Sequence, residues 1–158
     1  MKVVLDTNIL ISALISPSGT PNQIYSAWLA GSFTLITSER QLAEFKDVCS
    51  RPQIRKFIKS TEVGNFVNAI RKRAQILEGY ELSDISSDPD DNYLFGMAFT
   101  AGAQFIVSVD REHVLSVGKV KSVQAITPNA FLQQFKPKRN KRNSKPRRIS
   151  APKSKLGT

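Results

Sequence analysis

The chain has 158 residues, of which 41% are hydrophobic, which is enough for one domain with a buried core. No apolar run approaches the ~20 residues of a membrane-spanning helix, and the single Cys49 can form no internal disulfide. These features exclude a membrane span and a disulfide-stapled domain, and they are typical of a cytoplasmic protein.

The net charge of +10 is distributed very unevenly along the chain. Residues 136–158 hold ten of the 23 Lys and Arg, whereas residues 1–135 carry 13 positive and 13 negative charges. The high isoelectric point therefore describes the carboxyl-terminal segment and says nothing direct about the preceding domain.

Strand and helix patterns alternate through residues 1–135. Strands are predicted at residues 2–5, 33–37, 104–109 and 122–126, with a short edge strand near residues 76–77. This alternation predicts a parallel sheet of four to five strands with helices on both faces, which is a three-layer α/β/α domain.

Several polar residues precede helical patterns and are predicted to cap them. Ser38 and Gln41 have the spacing of a capping box. Thr20, Asp88 and Thr127 are each followed by proline, which is favoured at the first helical position.

The tail, residues 136–158, has a different composition from the rest of the chain. It consists mainly of Lys, Arg, Ser, Asn and Pro, with only Ile149 and Leu156 as large apolar residues, so it is predicted to be disordered. Two interpretations remain open for this segment: a solvated terminus without a specific role, and a basic arm that binds RNA with strong salt dependence.

Four carboxylates are expected to meet at one edge of the sheet. Asp6 and Asp110 directly follow predicted strands, which places both at the carboxyl edge, where ligands bind in open α/β sheets. Asp91 lies in the first turn of the helix that leads into strand 104–109, and this helix begins at the same edge. Glu44 lies within two turns of the start of the helix that follows strand 33–37.

Clustered carboxylates repel one another, so such a group needs a compensating cation. Oxygen ligands without multiple His or Cys favour Mg²⁺ or Mn²⁺ over zinc. The matching chemistry is metal-assisted attack of water on a phosphodiester. Asn8 and Ser108, which lie beside two of the carboxylates, are candidates for orienting ligands or waters.

The order and spacing of these motifs resemble the PIN-domain nuclease family over residues 1–135. The matching segments are Val-Val-Leu-Asp6-Thr7-Asn8, Gln-Leu-Ala-Glu44-Phe, Asp-Pro-Asp-Asp91-Asn-Tyr-Leu and Ser108-Val-Asp110. The chain looks closest to toxin components of prokaryotic toxin–antitoxin pairs. That resemblance implies a metal-dependent endoribonuclease that acts on RNA, forms a homodimer and is restrained by an antitoxin protein.

The resemblance also implies that Asp6, Glu44, Asp91 and Asp110 form the acidic metal site. Many relatives have a further Asp two positions after the last of these, where this chain has Glu112. The Glu112 side chain is longer, so the resemblance does not assign it as a fifth ligand.

Other interpretations remain for three of the four carboxylates taken alone. Asp91 could stabilise a helix start, Glu44 could be a solvated helix residue, and Asp110 could begin a turn. A phosphatase that uses an Asp after the first strand would need a second Asp where Asn8 stands. A different class of function is an RNA-binding module that uses the tail and has an inactive PIN-like domain.

Overall fold

The computed structural model describes residues 1–82 and 84–135, so the predicted disordered tail lies outside the described residues. The strands are β1 Lys2–Leu5, β2 Thr34–Ser38, β3 Gln75–Leu77, β4 Phe105–Val107, β5 Lys119–Val120 and β6 Val123–Ile126. The helices are α1 Thr7–Ile15, α2 Thr20–Leu29, α3 Glu39–Ser50, α4 Pro52–Arg55, α5 Ser60–Arg73, α6 Asn92–Ala101 and α7 Pro128–Leu132. Short 3₁₀ turns lie at Pro89–Asp91 and Leu115–Val117.

The strands form one sheet in the order β3-β2-β1-β4-β6-β5. The pairs from β3 to β6 are parallel, whereas β5 pairs with β6 in antiparallel fashion. The predicted parallel sheet is therefore confirmed, including the short edge strand β3. Strand β5, which was not predicted, adds an antiparallel edge.

The sheet separates two hydrophobic clusters, as a three-layer α/β/α fold requires. Val3 and Leu5 of β1 pack with residues of α1, α2, α3, α5 and α7, whereas Val4 packs with α6. This alternation follows from the two-residue period of a strand, which sends successive side chains to opposite faces. The carboxyl edge of the sheet therefore lies between α1 and α3 on one side and α6 on the other.

Most of the predicted helix starts are confirmed. The Ser38 Oγ accepts a hydrogen bond of 3.3 Å from the Gln41 backbone N–H, and Thr127 accepts one of 3.2 Å from the Ala130 N–H. Asp88 caps the 3₁₀ turn that precedes α6, by accepting from the Asp90 N–H at 3.0 Å. The predicted cap at Thr20 is wrong by one residue, because α2 begins at Thr20 itself.

Helix α6 lies unusually close to the segment that follows β3. A Cβ at Gly96 would overlap the backbone oxygen of Glu81, so this helix position has room only for glycine. Within the described part of the chain, no helix combines the length and apolar character needed to cross a membrane.

Candidate metal site at the carboxyl edge

The structure brings the four predicted carboxylates to the carboxyl edge of the sheet. Asp6 directly follows β1, and its backbone N–H continues the ladder to the Val107 oxygen at 2.9 Å. Asp110 lies three residues beyond the end of β4, and Glu44 lies on α3. Asp91 ends the 3₁₀ turn and occupies the N-cap position of α6, without a side-chain cap hydrogen bond, instead of lying in the first turn of that helix.

Asp6 is the electrostatic centre of this group. Its side chain is buried, with only 7% of the residue exposed, and desolvation raises the pKa of its carboxyl group. Hydrogen bonds from Ser108 and from the Thr7 backbone lower that pKa, whereas the charges of Glu44 and Asp110 raise it further. Asp6 is therefore a buried acid that favours a nearby positive charge.

Asp91 belongs to the same electrostatic group. Burial, together with the charges of Asp6, Asp88 and Asp110, raises its pKa to about 6. His113 acts in the opposite direction. Asp6 therefore interacts electrostatically with Glu44, Asp91 and Asp110.

Ser108 connects the ends of β1 and β4. Its fully buried Oγ donates to Asp6 Oδ2 at 2.7 Å and accepts from the Asp110 backbone N–H at 3.0 Å. One hydroxyl thus fixes both the Asp6 carboxylate and the start of the loop that carries Asp110. The role of Ser108 in orienting a metal ligand stays a prediction.

Glu44 is held by two hydroxyl groups that bind the same oxygen atom. Thr7 Oγ1 donates to Glu44 Oε2 at 3.0 Å, and the Tyr93 hydroxyl donates to it at 2.5 Å. Among the described residues, Oε1 receives no hydrogen bond. An exposed helix carboxylate is thereby turned toward the sheet edge with one oxygen left available.

The buried side-chain amide of Gln41 supports the position of Thr7 and the start of α3. Gln41 Nε2 donates to the Leu5 oxygen at 2.7 Å and approaches Thr7 Oγ1 at 3.4 Å, while Thr37 Oγ1 donates to Gln41 Oε1 at 2.6 Å. The Gln41 side chain therefore points into the protein, and the reciprocal half of the predicted capping box does not form. Gln41 and Thr37 are fully buried, so their hydrogen bonds fix the start of α3 against the ends of β1 and β2.

Sequence reasoning did not identify Thr7, Gln41 or Tyr93 as parts of the site. Thr7 and Tyr93 do stand beside two predicted carboxylate motifs, one residue after Asp6 and two after Asp91. That adjacency is the only sequence signal, because hydrogen bonds that span 37 and 49 residues have no local pattern.

The loop after β4 is organised around Asp110. Its Oδ1 accepts hydrogen bonds from the backbone N–H groups of Glu112 at 3.1 Å and His113 at 3.0 Å. The turn alternative for Asp110 is thus realised, although its charge still interacts with Asp6 and Asp91. The Glu112 side chain is 86% exposed and lies 3.7 Å from His113 Nε2.

His113 connects this loop to the segment before α6. Its Nδ1 lies 2.9 Å from Ser87 Oγ, and its backbone oxygen accepts a hydrogen bond of 2.6 Å from Ser86 Oγ. These contacts help to position the turn that carries Asp91.

Asn8, the remaining predicted site residue, is exposed on the first turn of α1. It has no side-chain hydrogen bond to another of the described residues.

The donor chemistry of the edge suits a hydrated divalent cation. Among residues 1–82 and 84–135, no three His, Cys, Asp or Glu side chains form a group close enough to enclose a metal ion. Mg²⁺ commonly keeps several waters and is bound through one or two carboxylates together with substrate phosphates. Oxygen donors centred on Asp6 therefore fit an ion that is only partly coordinated by protein.

Comparisons with known proteins agree with this fold. The family model described as PIN domain matches residues 2–112. The uncharacterized protein MJ1680 of Methanocaldococcus jannaschii is 27% identical over 143 residues, which cover 85% of this chain and 92% of that protein.

A solved structure also has the same fold. It is the crystal structure of VapBC2 from Rickettsia felis bound to a DNA fragment from their promoter, and the match has a TM-score of 0.51. The match covers 80% of this chain and 98% of the chain compared, at 15% sequence identity. At this identity the likeness concerns the fold alone.

Proposed function

The chain belongs to the PIN-domain family, whose members are generally nucleases, and we propose that it is a Mg²⁺- or Mn²⁺-dependent endoribonuclease. The observation that carries this proposal is the electrostatic coupling of the buried Asp6 to Glu44, Asp91 and Asp110 at the carboxyl edge. The neighbouring charges raise the pKa of Asp6 and of Asp91, so a bound cation would stabilise these acids in their charged form. Metal-assisted attack of water on a phosphodiester is a reaction that such a cation supports.

Asp6, Glu44, Asp91 and Asp110 would together hold a hydrated metal ion, with one or two of them bound to it directly. When bound, the ion would lower the pKa of a water molecule and stabilise charge on the leaving oxygen of the phosphodiester. Glu44 offers Oε1, because Oε2 is already engaged by Thr7 and Tyr93.

The surrounding residues orient these acids and the substrate. Ser108 fixes the Asp6 carboxylate through Oδ2, and the turn at Asp110 fixes the loop after β4. Asn8 is exposed on the first turn of α1, two residues after Asp6, and its amide would orient a water or a phosphate oxygen. The carboxylates would therefore bind the metal, and the neighbouring residues would fix the positions of the carboxylates.

We further propose that the protein is the toxin of a toxin–antitoxin pair, with RNA as its substrate, an antitoxin protein as its partner and a homodimer as its assembly. The likeness of fold to a chain of VapBC2 supports this proposal, together with the toxin-like motifs. Expression of the protein alone should arrest bacterial growth, and expression of Asp6→Asn should not. Equal growth of both strains would remove the toxin assignment without affecting the nuclease assignment.

The competing function is an RNA-binding module with an inactive PIN-like domain. The feature that favours it is the tail, with ten Lys and Arg in residues 136–158. Cleavage assays separate the two functions, because only the nuclease requires the four carboxylates at the carboxyl edge of the sheet, which is called the acidic edge below.

The test is cleavage of a labelled single-stranded RNA by the full chain, with Mg²⁺, with Mn²⁺ and with EDTA. We expect metal-dependent cleavage that falls by at least about 10³-fold in Asp6→Asn, as expected for loss of a group central to catalysis. The matched control is Asp84→Asn, which makes the same chemical change in an exposed loop. Unchanged cleavage in Asp6→Asn would contradict the site, and binding without any metal-dependent cleavage would favour the competing function.

A further inference from the structure

Two clefts of similar size border the acidic edge. The first, here called the Glu44-side cleft, has a volume of about 440 Å³ and is lined by Arg40, Ala43, Glu44, Asp47, Asp90 and Tyr93. The second, here called the Arg111-side cleft, also has a volume of about 440 Å³ and lies between the end of β4 and the starts of α2 and α7. Both volumes fall within the ordinary range of small-ligand sites, so size does not distinguish them.

Charge does distinguish the two clefts. The Glu44-side cleft has three carboxylates, and the guanidinium of its Arg40 lies 4.6 Å from the centroid of the Tyr93 ring. The Arg111-side cleft has Arg111 and, among the described residues that line it, no carboxylate. Arg111 also forms no ion pair with any described residue. Among the residues that line them, the Glu44-side cleft therefore carries a negative excess and the Arg111-side cleft a single positive charge, which favours a phosphate in the second.

The Arg111-side cleft also exposes apolar surface next to a proposed metal ligand. Val109 is 57% exposed. It lies between Ser108, which is fully buried, and Asp110, which is partly buried. Leu115 and Pro21 extend this apolar wall. Apolar surface that is exposed beside a reactive group is a common feature of ligand sites.

A polar wall faces this apolar surface. Thr20 Oγ1 donates a hydrogen bond of 3.2 Å to Asn129 Oδ1, which joins the starts of α2 and α7. The Asn129 amide nitrogen has no acceptor among the described residues, so its two N–H groups are available to a ligand. A cation, an apolar wall and an amide donor thus surround one cleft, which is the combination that binds a phosphate, a base and a base edge.

We propose that the Arg111-side cleft binds one nucleotide of a single-stranded RNA next to the bond that is cleaved. The base lies against Val109 and Leu115, the phosphate pairs with Arg111, and Asn129 donates to the base edge. The RNA therefore leaves the acidic edge on the Arg111 side and not on the Glu44 side. The position of the nucleotide next to a cleaved bond rests on the proposed nuclease function. Binding of the nucleotide in the cleft requires neither a metal nor cleavage.

The test is a titration of the full chain with nucleoside 5′-monophosphates in EDTA, followed by the backbone amide signals in NMR spectra. We expect saturable shifts at residues 109–115 and 127–129, and smaller shifts with inorganic phosphate alone, because phosphate lacks the base. Arg111→Ala should weaken binding about tenfold, since a hydrogen bond to a charged group is lost. Val109→Asp should weaken it further by adding a negative charge to the apolar wall.

Arg55→Ala is the matched control, because it removes the same charge from α4, outside both clefts. It should leave the shifts at residues 109–115 unchanged. Shifts that centre on the Glu44-side cleft, or no shifts at millimolar nucleotide, would overturn the proposal, as would equal weakening by Arg111→Ala and Arg55→Ala.

The binding test and the cleavage test fail independently of each other. If the nucleotide does not bind in the cleft but Asp6→Asn still abolishes metal-dependent cleavage, only the nucleotide site is wrong. If the nucleotide binds in the cleft but no metal-dependent cleavage occurs, the nuclease function is wrong.

Discussion

The Tyr93 hydroxyl donates a hydrogen bond of 2.5 Å to Glu44 Oε2, and this bond joins the two helical layers across the carboxyl edge of the sheet. Tyr93 belongs to α6, which packs on one face, whereas Glu44 belongs to α3 on the other face. The bond therefore makes the position of a proposed metal ligand dependent on the packing of both layers.

Replacing Tyr93 with phenylalanine is expected to impair the site more than the fold. The ring stays buried, so the loss is one hydroxyl that holds Glu44, while Thr7 still donates to the same oxygen. Loss of a group that orients a metal ligand commonly costs about 10- to 100-fold in metal affinity or activity. Titration of the protein with Mn²⁺ should show this loss directly, and urea unfolding in EDTA should change by no more than about 1.5 kcal/mol.

Tyr25→Phe is the matched control, because the partly buried Tyr25 packs against the core away from the acidic edge, with its ring centroid 4.7 Å from that of Phe66. It should leave Mn²⁺ affinity unchanged. If Tyr93→Phe also leaves Mn²⁺ affinity unchanged, its hydrogen bond to Glu44 only satisfies a buried hydroxyl.

The raised pKa of Asp91 predicts how the stability of the metal-free protein depends on pH. Asp91 has a pKa of about 6 in the folded protein, against 3.8 for an unperturbed Asp, so the folded state binds its proton more tightly than the unfolded state does. This contribution to stability is fully present below 3.8 and is lost as the pH rises through about 6. Asp91→Asn should therefore be more stable than the natural chain in EDTA at about pH 7.5, and the difference should vanish at about pH 4.

Thermal melts of both chains across this pH range provide the measurement. Comparing the two chains removes the effect of other acids, such as Glu39, whose pKa is lowered by its hydrogen bond to Arg71. A metal-free Asp91→Asn that is less stable than the natural chain at the higher pH would show that Asp91 is a structural partner and not part of a repulsive group.

Gly96 is expected to tolerate no side chain. An added methyl group would overlap the backbone oxygen of Glu81, and backbone cannot move aside as a flexible side chain does. Gly96→Ala should destabilise the protein by about 1–3 kcal/mol in urea unfolding, the usual cost of overpacking.

Gly64→Ala is the control for this change. Gly64 lies on α5 with open space around it, so alanine should stabilise the helix by about 0.5–1 kcal/mol. The same sign of effect in both variants would contradict the close approach of α6 and the segment at Glu81.

Removal of the tail, residues 136–158, is expected to weaken RNA binding without changing the cleavage of bound RNA. Residues 1–135 are neutral overall, so the deletion removes the whole positive excess. The slope of log affinity against log salt should become shallower, because fewer counterions are released on binding. Equal RNA affinities and equal salt slopes for the full chain and the chain ending at Phe135 would contradict a role of the tail in RNA binding.

Much of the fold, and the placement of the four carboxylates at one sheet edge, could be predicted from sequence because both depend on local patterns. The run before Asp6 and the run before Asp110 have the short apolar character of buried strands, so both acids could be assigned to one edge. Strand β5 could not be predicted, because it has only two residues. The chain turns directly after it, at Lys121, which has a φ of 53°. The sequence around Gln41 has the spacing of a capping box, which would direct its side chain to the Ser38 backbone. In the tertiary structure the side chain instead donates to the Leu5 oxygen, and no local pattern predicts that contact.

The direct measurement of the proposed site is Mn²⁺ binding in the absence of RNA, by water-proton relaxation, for the natural chain, Asp6→Asn and Asp84→Asn. The natural chain and Asp84→Asn should bind Mn²⁺ with the same affinity, and Asp6→Asn should bind at least about tenfold more weakly, because it lacks the carboxylate that interacts with the other three. Equal Mn²⁺ affinity in the natural chain and Asp6→Asn would contradict a metal site centred on Asp6.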